Sequence, residues 1–239
     1  MVLKRVTKQT EGNQKKDAKS TSFVSRLTGG LSLDFNRREP NLYLTALEDG
    51  HIHRCSRSYN EQYLDTYQGH TGPVYRVQWA PYSSTVFLTC SSDWTIRLWD
   101  QSMSESLFRF QSGREHVNDV CWSPHAGTVF ASVSEDGRIE VWDLAASSLD
   151  PVITHTVLDR HLSRVAFAPH TPCLVTGDDN GAVIVYRFEN FGKGEKLTEI
   201  SEQEQMRELD AVIATKKASS MSTGSLDSVV AAAAPVHMD

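Results

Sequence analysis

One motif recurs four times along the chain at nearly constant spacing, and this repeat restricts the possible folds more than any other feature. The copies begin at Asp49, Asp93, Asp136 and Asn180. Successive copies are therefore 44, 43 and 44 residues apart. Each is followed six residues later by Cys, Trp or Tyr and preceded 13 or 14 residues earlier by Phe or Trp. A constant period of this length indicates one supersecondary unit repeated in register.

Each unit divides into short strand-like segments. In the second unit, residues 74–79 (VYRVQW), 86–90 (VFLTC) and 95–99 (TIRLW) are rich in β-branched and aromatic residues, and residues 106–110 (SLFRF) add a fourth segment. Four strands in about 40–45 residues are typical of a β-propeller blade. A β-sandwich also has many short strands, but it does not keep one register over four units. We expect blade units at about 31–56, 64–100, 106–143 and 152–188, within residues 27–191.

Two dipeptides mark a resemblance to the WD-repeat family. They are Gly69-His70 and the Trp-Asp pairs that begin at Trp99 and Trp142. In that family a His, a Ser or Thr, an Asp and the Trp form a hydrogen-bonded network within a blade, as a buried imidazole, carboxylate and indole N–H require. The resemblance implies such a network in the second unit, at His70, Thr89, Asp93 and Trp99.

The other units depart from this pattern. The third keeps Ser132, Asp136 and Trp142, but Gly113 stands at the His position and His116 lies three residues late. The fourth unit has Thr176, Asn180 and Tyr186, and the first has Thr45, Asp49 and Cys55. We therefore expect the hydrogen-bonded network to stabilise the blade of the second unit, and apolar packing to contribute more to the stability of the other blades.

Several stretches resemble the C-terminal propeller of dynein intermediate chains, in particular the axonemal chains of the two-headed inner dynein arm. Residues 91–99 (SSDWTIRLW) place Trp94 where most repeats have Gly. The remaining stretches are EDGHIHRCS at 48–56, YNEQYLDTYQGH at 59–70, VCWSP at 120–124, VWDL at 141–144 and LDP at 149–151. The resemblance covers about residues 31–190 and implies an all-β, partial WD-repeat propeller, with about four blades of a larger ring. Open strand edges then predict self-association or poor folding of the isolated chain.

This resemblance implies a non-catalytic scaffold that binds a dynein heavy chain and other dynein intermediate and light chains. It implies a role in axonemal inner-arm assembly and ciliary or flagellar motility, with the chain in the cytoplasm, the cytoskeleton and the axoneme. Because WD repeats serve many functions, the alternative is a general WD adaptor, such as a ubiquitin-ligase substrate receptor or a signalling scaffold.

Trp94 is the first candidate for partner contact, because a tight turn offers little interior to a large side chain and exposed Trp is a common hot-spot residue. The alternative is that it folds back over the neighbouring blade. Tyr75, Arg76 and Arg97 lie near the same blade and are candidates for the same surface, or are ordinary strand residues.

Catalysis, metal and cofactors are not expected. His51 and His53 alternate on one strand, but no third ligand has a matching spacing. His70 and Asp93 could serve as base and acid, yet the family register makes them structural. No Ser-His-Asp order, phosphate-cradling Gly loop or H-E-x-x-H motif occurs.

The net charge is unevenly distributed along the chain. The net charge is −6, while residues 1–26 carry seven Lys and Arg against two acids, so the body is acidic and nucleic acid is not the expected partner. The basic head is a linker or a site for an acidic partner.

No apolar run approaches the roughly 18 residues of a membrane span. The four cysteines form no C-x-x-C pair, which favours buried thiols over disulfides or zinc.

The tail, residues 192–239, contains one predicted helix. Ser201 and Glu204 have the spacing of a capping box, and an apolar face follows in residues 206–213, so we expect a short helix over 201–216. Three alternatives remain for this helix: it docks on a dynein subunit, it docks on the rim of the propeller, or it is partly frayed in solvent. Residues 218–239, rich in Ser and Ala, are expected to be disordered.

Overall fold

The computed structural model describes residues 28–59, 61–189 and 201–230, and its strands form four antiparallel sheets in chain order. The first sheet contains β1 (Gly30–Phe35), β2 (Leu42–Leu47), β3 (Ile52–Ser56) and β4 (Asp65–Tyr67). The second contains β5 (Val74–Trp79), β6 (Val86–Ser91), β7 (Ile96–Asp100) and β8 (Phe108–Phe110). The third contains β9 (Val117–Trp122), β10 (Val129–Ser134), β11 (Arg138–Asp143) and β12 (Ile153–Thr156). The fourth contains β13 (Leu162–Phe167), β14 (Cys173–Asp178) and β15 (Val183–Arg187).

The all-β partial propeller predicted from the repeat is confirmed. Each sheet is a meander of sequential strands, because alternating apolar residues and short turns favour hairpins. The sequence units are offset from the sheets: residues 64–100 contain β4, which pairs with β3 of the first sheet, and then β5 to β7 of the second. Among the described residues, the fourth sheet has three strands and β15 has one open edge.

The sheets pack face to face, and each of the first three shares a core with the next. We call the face toward the following sheet the forward face, and the opposite face the rear face. Leu44 and Ile52, on the forward face of the first sheet, pack with Val77 and Trp79 on the rear face of the second. The second and third sheets share another apolar cluster, as do the third and fourth. Burial of these faces provides most of the driving force for folding.

Side chains also tie the first strand of each sheet to the first strand of the next. Trp79 N donates to Asp34 Oδ2 over 2.8 Å, and Trp122 N donates to Gln78 Oε1 over 3.1 Å. At the third junction, Val165 N donates to the Oδ2 of Asp119 over 3.1 Å. These bonds satisfy edge-strand amides that have no strand partner on that side.

The helix α1 (Glu202–Val230) extends beyond the predicted segment 201–216. No proline interrupts the helix before Pro235, and Ala and Met favour its extension. Ser201 Oγ accepts from Glu204 N, and Glu204 Oε2 accepts from Ser201 N, so the capping box is present.

The helix docks on the propeller. Its Gln205, Leu209 and Ile213, spaced four residues apart, are buried, and the two apolar residues join the core between the second and third sheets. Lys217 Nζ lies 2.8 Å from Asp100 Oδ2 at the end of β7. The apolar face found in the sequence therefore packs on the chain's own blades. Residues 1–26, 192–200 and 231–239, on which the head and the remaining tail predictions fall, lie outside the described residues.

Candidate functional site

In the second blade, the structure brings the four predicted network residues together. Trp99 Nε1 donates to Thr89 Oγ1 over 2.9 Å, and the Thr89 hydroxyl lies 2.7 Å from His70 Nε2. His70 Nδ1 lies 3.0 Å from Asp93 Oδ2. Since the ionised Asp93 can only accept, the neutral His70 carries its proton on Nδ1, and its Nε2 accepts from the Thr89 hydroxyl. The chain of donors therefore ends on the Asp93 carboxylate.

Electrostatics make this network structural. Burial lowers the pKa of His70 although Asp93 opposes this shift, so the imidazole is neutral at physiological pH. Burial alone would raise the pKa of Asp93, but hydrogen bonds from His70, Thr95 and the Thr71 amide hold it well below its ordinary value. A neutral imidazole with both nitrogens engaged has no position free to accept a proton from a bound molecule. The arrangement therefore ties strands together.

The third blade contains the predicted Ser132, Asp136 and Trp142, together with Arg138, which the sequence did not predict. Trp142 Nε1 donates to Ser132 Oγ over 3.2 Å. Asp136 pairs with Arg138 instead of a histidine, because Arg138 Nε donates to its Oδ2 over 2.7 Å. The guanidinium fills the space beside Gly113, where even a Cβ would collide with it. Hydrogen bonds and an ion pair therefore stabilise this blade in addition to apolar packing.

Arg138 also faces a buried acid. Its Nη1 lies 3.6 Å from Glu140 Oε1, and the Glu140 side chain is 3% exposed. Burial raises the pKa of Glu140, while Ser112, Arg138 and Ser132 oppose the shift. The sequence did contain a signal for this arrangement: Arg138 aligns with Thr95, and Gly113 aligns with His70. The third unit therefore has no side chain at one position and a long cation at the other.

Among the residues that the structure describes, the first and fourth blades have no complete network, as their sequences suggested. In the first, His51 Nδ1 lies 3.0 Å from Asp49 Oδ1 beside the turn. The rings of His53 and Tyr63 stack at 4.0 Å. In the fourth blade, Tyr186 makes an edge contact at 5.3 Å with His155 of the third sheet.

Trp94 lies in the turn between β6 and β7 with a positive φ of 70°. The corresponding turns contain Gly50, Gly137 and Gly181 with φ of 85°, 79° and 82°, a conformation that is costly for a residue with a Cβ. The Trp94 side chain is 41% exposed. A strained backbone that presents a large aromatic surface to solvent is a reason to examine this residue for function.

The three other contact candidates have partners within the protein. Tyr75 packs partly against the core between the second and third sheets. Arg76 Nε lies 3.5 Å from Asp119 Oδ1, and 39% of its side chain is exposed. Arg97 Nη1 donates to Ser106 Oγ over 3.0 Å. Tyr75 and Trp94 lie at the same end of the second sheet, because β5 begins where β6 ends.

The helix α1 lies at the other end of the sheets. Its Lys217 reaches Asp100, the last residue of β7, and Lys216 Nζ lies 5.1 Å above the Phe108 ring at the start of β8. The end that carries the Asp-Trp turn is therefore not the end that the helix covers.

Other site chemistry is limited within residues 28–59, 61–189 and 201–230. No group of three or more His, Cys, Asp or Glu side chains there could hold a metal ion. Helices of that described part are all too short or too polar to cross a membrane. All four cysteines are free thiols, and three are buried: Cys55, Cys90 and Cys121. Burial raises the pKa of each of these three thiols and makes it unreactive.

Comparison with known proteins agrees with the repeat. The family model described as "WD domain, G-beta repeat" matches residues 61–100 and 105–143. Dynein axonemal intermediate chain 4 of Danio rerio is 48% identical over 172 residues, which are 72% of this chain and 22% of that protein. The human protein of the same name is 43% identical over 194 residues, covering 80% of this chain and 22% of its own length.

More distant relatives carry the same type of name. Dynein intermediate chain 2, ciliary, of Heliocidaris crassispina is 34% identical over 171 residues, which are 70% of this chain and 24% of that protein. The chain thus spans between a fifth and a quarter of the length of these relatives. It is a WD-repeat chain homologous, over the part that aligns, to the axonemal dynein intermediate chains.

Proposed function

We propose that this chain is a non-catalytic scaffold of an axonemal dynein complex and that its blades bind a dynein heavy chain. The observation that carries this proposal is the 43–48% identity to axonemal dynein intermediate chains over 72–80% of this chain. On this proposal the chain works beside other intermediate and light chains in the axoneme of a cilium or flagellum. It supports assembly of an inner-arm dynein and thereby motility.

The surface around Trp94 is the proposed contact. Its side chain is 41% exposed at the end of the propeller that the helix α1 leaves uncovered, and Tyr75 and Arg76 lie at the same end. Aromatic residues and arginine contribute most to binding at protein interfaces, since they bury large areas at little entropic cost. Trp94 has a positive φ that favours Gly, and we infer that binding of the heavy chain compensates for this backbone strain.

No residue is assigned a catalytic role. His70 and Asp93, the candidate base and acid, hydrogen-bond each other within the second blade. Substitutions at either position are therefore expected to change the free energy of unfolding rather than the rate of a reaction.

Affinity capture from a salt extract of ciliary axonemes tests the proposal. The full 239-residue chain should retain dynein heavy chains, identified by mass spectrometry. Trp94→Gly should weaken heavy-chain binding about thirtyfold, because loss of an interface hot spot costs about 2 kcal/mol. Leu149→Ala, which alters a side chain 80% exposed beyond the end of β11, is the matched control.

Two outcomes would contradict the proposal in different ways. Recovery of ubiquitin-ligase or signalling components without heavy chain would support the general adaptor instead. Equal loss of heavy chain with Trp94→Gly and Leu149→Ala would reject the Trp94 surface and retain the scaffold role.

A further inference from the structure

Two arginines face each other at the outer edge of the second sheet. Arg97 of β7 is the cross-strand partner of Arg109 of β8, the outermost strand of that sheet. Side chains in directly opposite positions leave the same face of a sheet and lie close together, so two like charges there destabilise the pairing. The pair therefore lowers the stability of the sheet unless an anion compensates for it.

The fold does not require two cations at this position. The equivalent cross-strand pairs are His53 with Thr66 in the first sheet and Glu140 with Thr154 in the third. Each of these pairs contains one titratable residue and one neutral hydroxyl. The same strand pairing therefore forms in the first and third sheets without like charges, and the arginines of the second sheet point to a role in binding.

The hydrogen bonds of the two guanidinium groups leave their charges uncompensated. Arg97 Nη1 donates to Ser106 Oγ over 3.0 Å, and Arg109 Nη2 donates to Gln111 Oε1 over 3.0 Å. Both acceptors are neutral, and among the described residues Arg97 Nε is buried without a hydrogen-bond partner. The Arg109 side chain is exposed and that of Arg97 is partly exposed. The exposed N–H groups of the pair are therefore accessible to an anion from solvent.

The acid that acts on Arg97 is already bound by other groups. Asp93 lies 3.0 Å from His70 Nδ1 and accepts from the Thr95 hydroxyl over 2.6 Å. Burial lowers the pKa of Arg97, Asp93 opposes this shift, and the charge of Arg109 adds to it. Asp93 therefore compensates the arginine pair only in part, and a further anion would stabilise it.

A third cation reaches this edge from a distant part of the chain. Lys216 Nζ of α1 lies 5.1 Å above the ring of Phe108, the residue before Arg109 in β8. We call Arg97, Arg109 and Lys216 the basic edge. The loop before β8 contributes one exposed acid, Glu105, so the basic edge is locally positive although the whole chain carries a net charge of −6. A negatively charged partner is attracted to such a surface.

We propose that the basic edge binds an acidic segment of another protein through its Asp or Glu carboxylates. A guanidinium donates two parallel N–H bonds to a carboxylate, and the two opposite arginines offer donors to one carboxylate from two sides. Among the described strands β8 pairs with β7 alone, so its outer side is open to an extended segment. The bound carboxylates supply the negative charge that the arginine pair lacks. This surface differs from the one around Trp94, because Arg97 reaches Ser106, which precedes β8 and lies away from the Asp-Trp turn.

Binding of a labelled acidic peptide to the full chain tests the proposal. The probe is a fluorescein-labelled peptide of alternating Glu and Ser, and its control has Gln in place of each Glu. Fluorescence anisotropy should show binding of the Glu peptide alone, weakened about tenfold between about 50 and 300 mM NaCl because salt screens the charges. Arg109→Gln should weaken binding about fivefold, and Arg109→Lys less, because lysine keeps the charge without the planar fork. Arg57→Gln, which removes an exposed arginine beyond the end of β3, is the matched control and should bind like wild type.

Thermal unfolding without peptide separates a binding role from a structural one. Arg109→Gln should melt at the temperature of wild type or slightly above it, since one of the two like charges is removed. A melting temperature lower by more than about 4 °C would show that Arg109 stabilises the sheet, and would overturn the proposal.

Three binding results would also overturn it. They are no binding of the Glu peptide by wild type, equal binding of the Glu and Gln peptides, and equal losses with Arg109→Gln and Arg57→Gln. A phosphoserine peptide of equal charge that bound more than about tenfold tighter than the Glu peptide would identify phosphate as the ligand instead.

Discussion

Arg138 Nε donates to Asp136 Oδ2 over 2.7 Å, in the place where the second blade has a histidine. The guanidinium needs the empty space beside Gly113, so the glycine and the arginine form one coupled unit. A sheet can therefore keep a polar tie at this position with two different sets of residues.

This coupling predicts non-additive substitutions. Gly113→His alone should displace Arg138 from Asp136, and Arg138→Thr alone should leave Asp136 and Glu140 without their cation. Each is expected to lower the free energy of unfolding by about 1–3 kcal/mol. The double variant recreates the His and Thr of the second blade and should lose less than the sum of the two.

Urea denaturation followed by tryptophan fluorescence measures the cycle. A coupling of about 1–2 kcal/mol is expected for groups in direct contact. Strict additivity of the two losses would show that Gly113 and Arg138 do not act together.

Thr89 is the central member of the network in the second blade, since it accepts from Trp99 and donates to His70 at 0% exposure. Thr89→Val keeps the shape but leaves two buried polar groups without a partner. The expected loss is about 2–4 kcal/mol, because each unsatisfied group costs about 1–3 kcal/mol.

Ser132→Ala is the matched comparison in the third blade. Ser132 accepts from Trp142 and also hydrogen-bonds Glu140, which keeps Ser112 and Arg138 as partners. This variant therefore leaves only the indole N–H unsatisfied and should lose about half as much. The midpoints of urea denaturation measure both losses, provided that the m value is the same in the variants and the wild type. Equal losses in the two blades would contradict the central position of Thr89.

Stability should decrease as the pH falls below about 6.5, the ordinary pKa of histidine. Burial lowers the pKa of His70 in the folded chain, so the unfolded chain binds the proton first. The stabilisation from a neutral His70 is therefore fully present above the unfolded pKa and is lost as the pH falls through the folded pKa. One proton contributes at most about 1.4 kcal/mol per pH unit.

His70→Gln should be less stable at pH 7 and should show a shallower decrease between pH 7 and pH 5. Asp93 does not interfere in this range, since its depressed pKa confines its effect to lower pH. Urea denaturation measures the free energy of unfolding of both proteins at each pH. If it decreased equally in wild type and His70→Gln, a group other than His70 would be responsible for the pH dependence.

Trp94→Gly is expected to stabilise the fold. Relief of the positive φ should raise the free energy of unfolding by about 0.5–1 kcal/mol after the greater freedom of Gly in the unfolded chain is subtracted. Thermal unfolding by circular dichroism is the measurement. A clear loss of stability would mean that the indole packs on the neighbouring blade, which was the alternative considered from the sequence.

The docked helix makes a separate prediction. Leu209 is fully buried in the core between the second and third sheets, so Leu209→Ala should cost about 2–4 kcal/mol. Glu208→Ala, one residue earlier on the exposed face, should cost less than about 0.5 kcal/mol.

Hydrogen exchange locates the effect of these two helix variants. Amides of α1 and of β8 should lose protection together in Leu209→Ala. If exchange in α1 increases while β8 is unchanged, the helix does not stabilise the sheet on which it packs.

The strands were predictable because their evidence is local. Period-two alternation and the turn residues around Asp93 place the four strands of the second blade, since side-chain direction in a strand depends only on position. The tie at Arg138 was not predictable in the same way. A long side chain can reach several neighbours, and its choice depends on the space that Gly113 leaves some 25 residues earlier.

The sequence by itself determined the repeat, the all-β blades and the capping box at Ser201, since each follows from residue type at fixed spacing, while the resemblance to the WD-repeat family implied the His70–Trp99 network. Only the tertiary structure decided where α1 docks, which blade faces are covered, and that Trp94 is exposed. Burial depends on which surfaces meet in space: Ile96 and Val183 occupy the same position in the repeat, yet one is 2% exposed and the other 70%. The difference is the presence of a neighbouring sheet, which no local pattern contains.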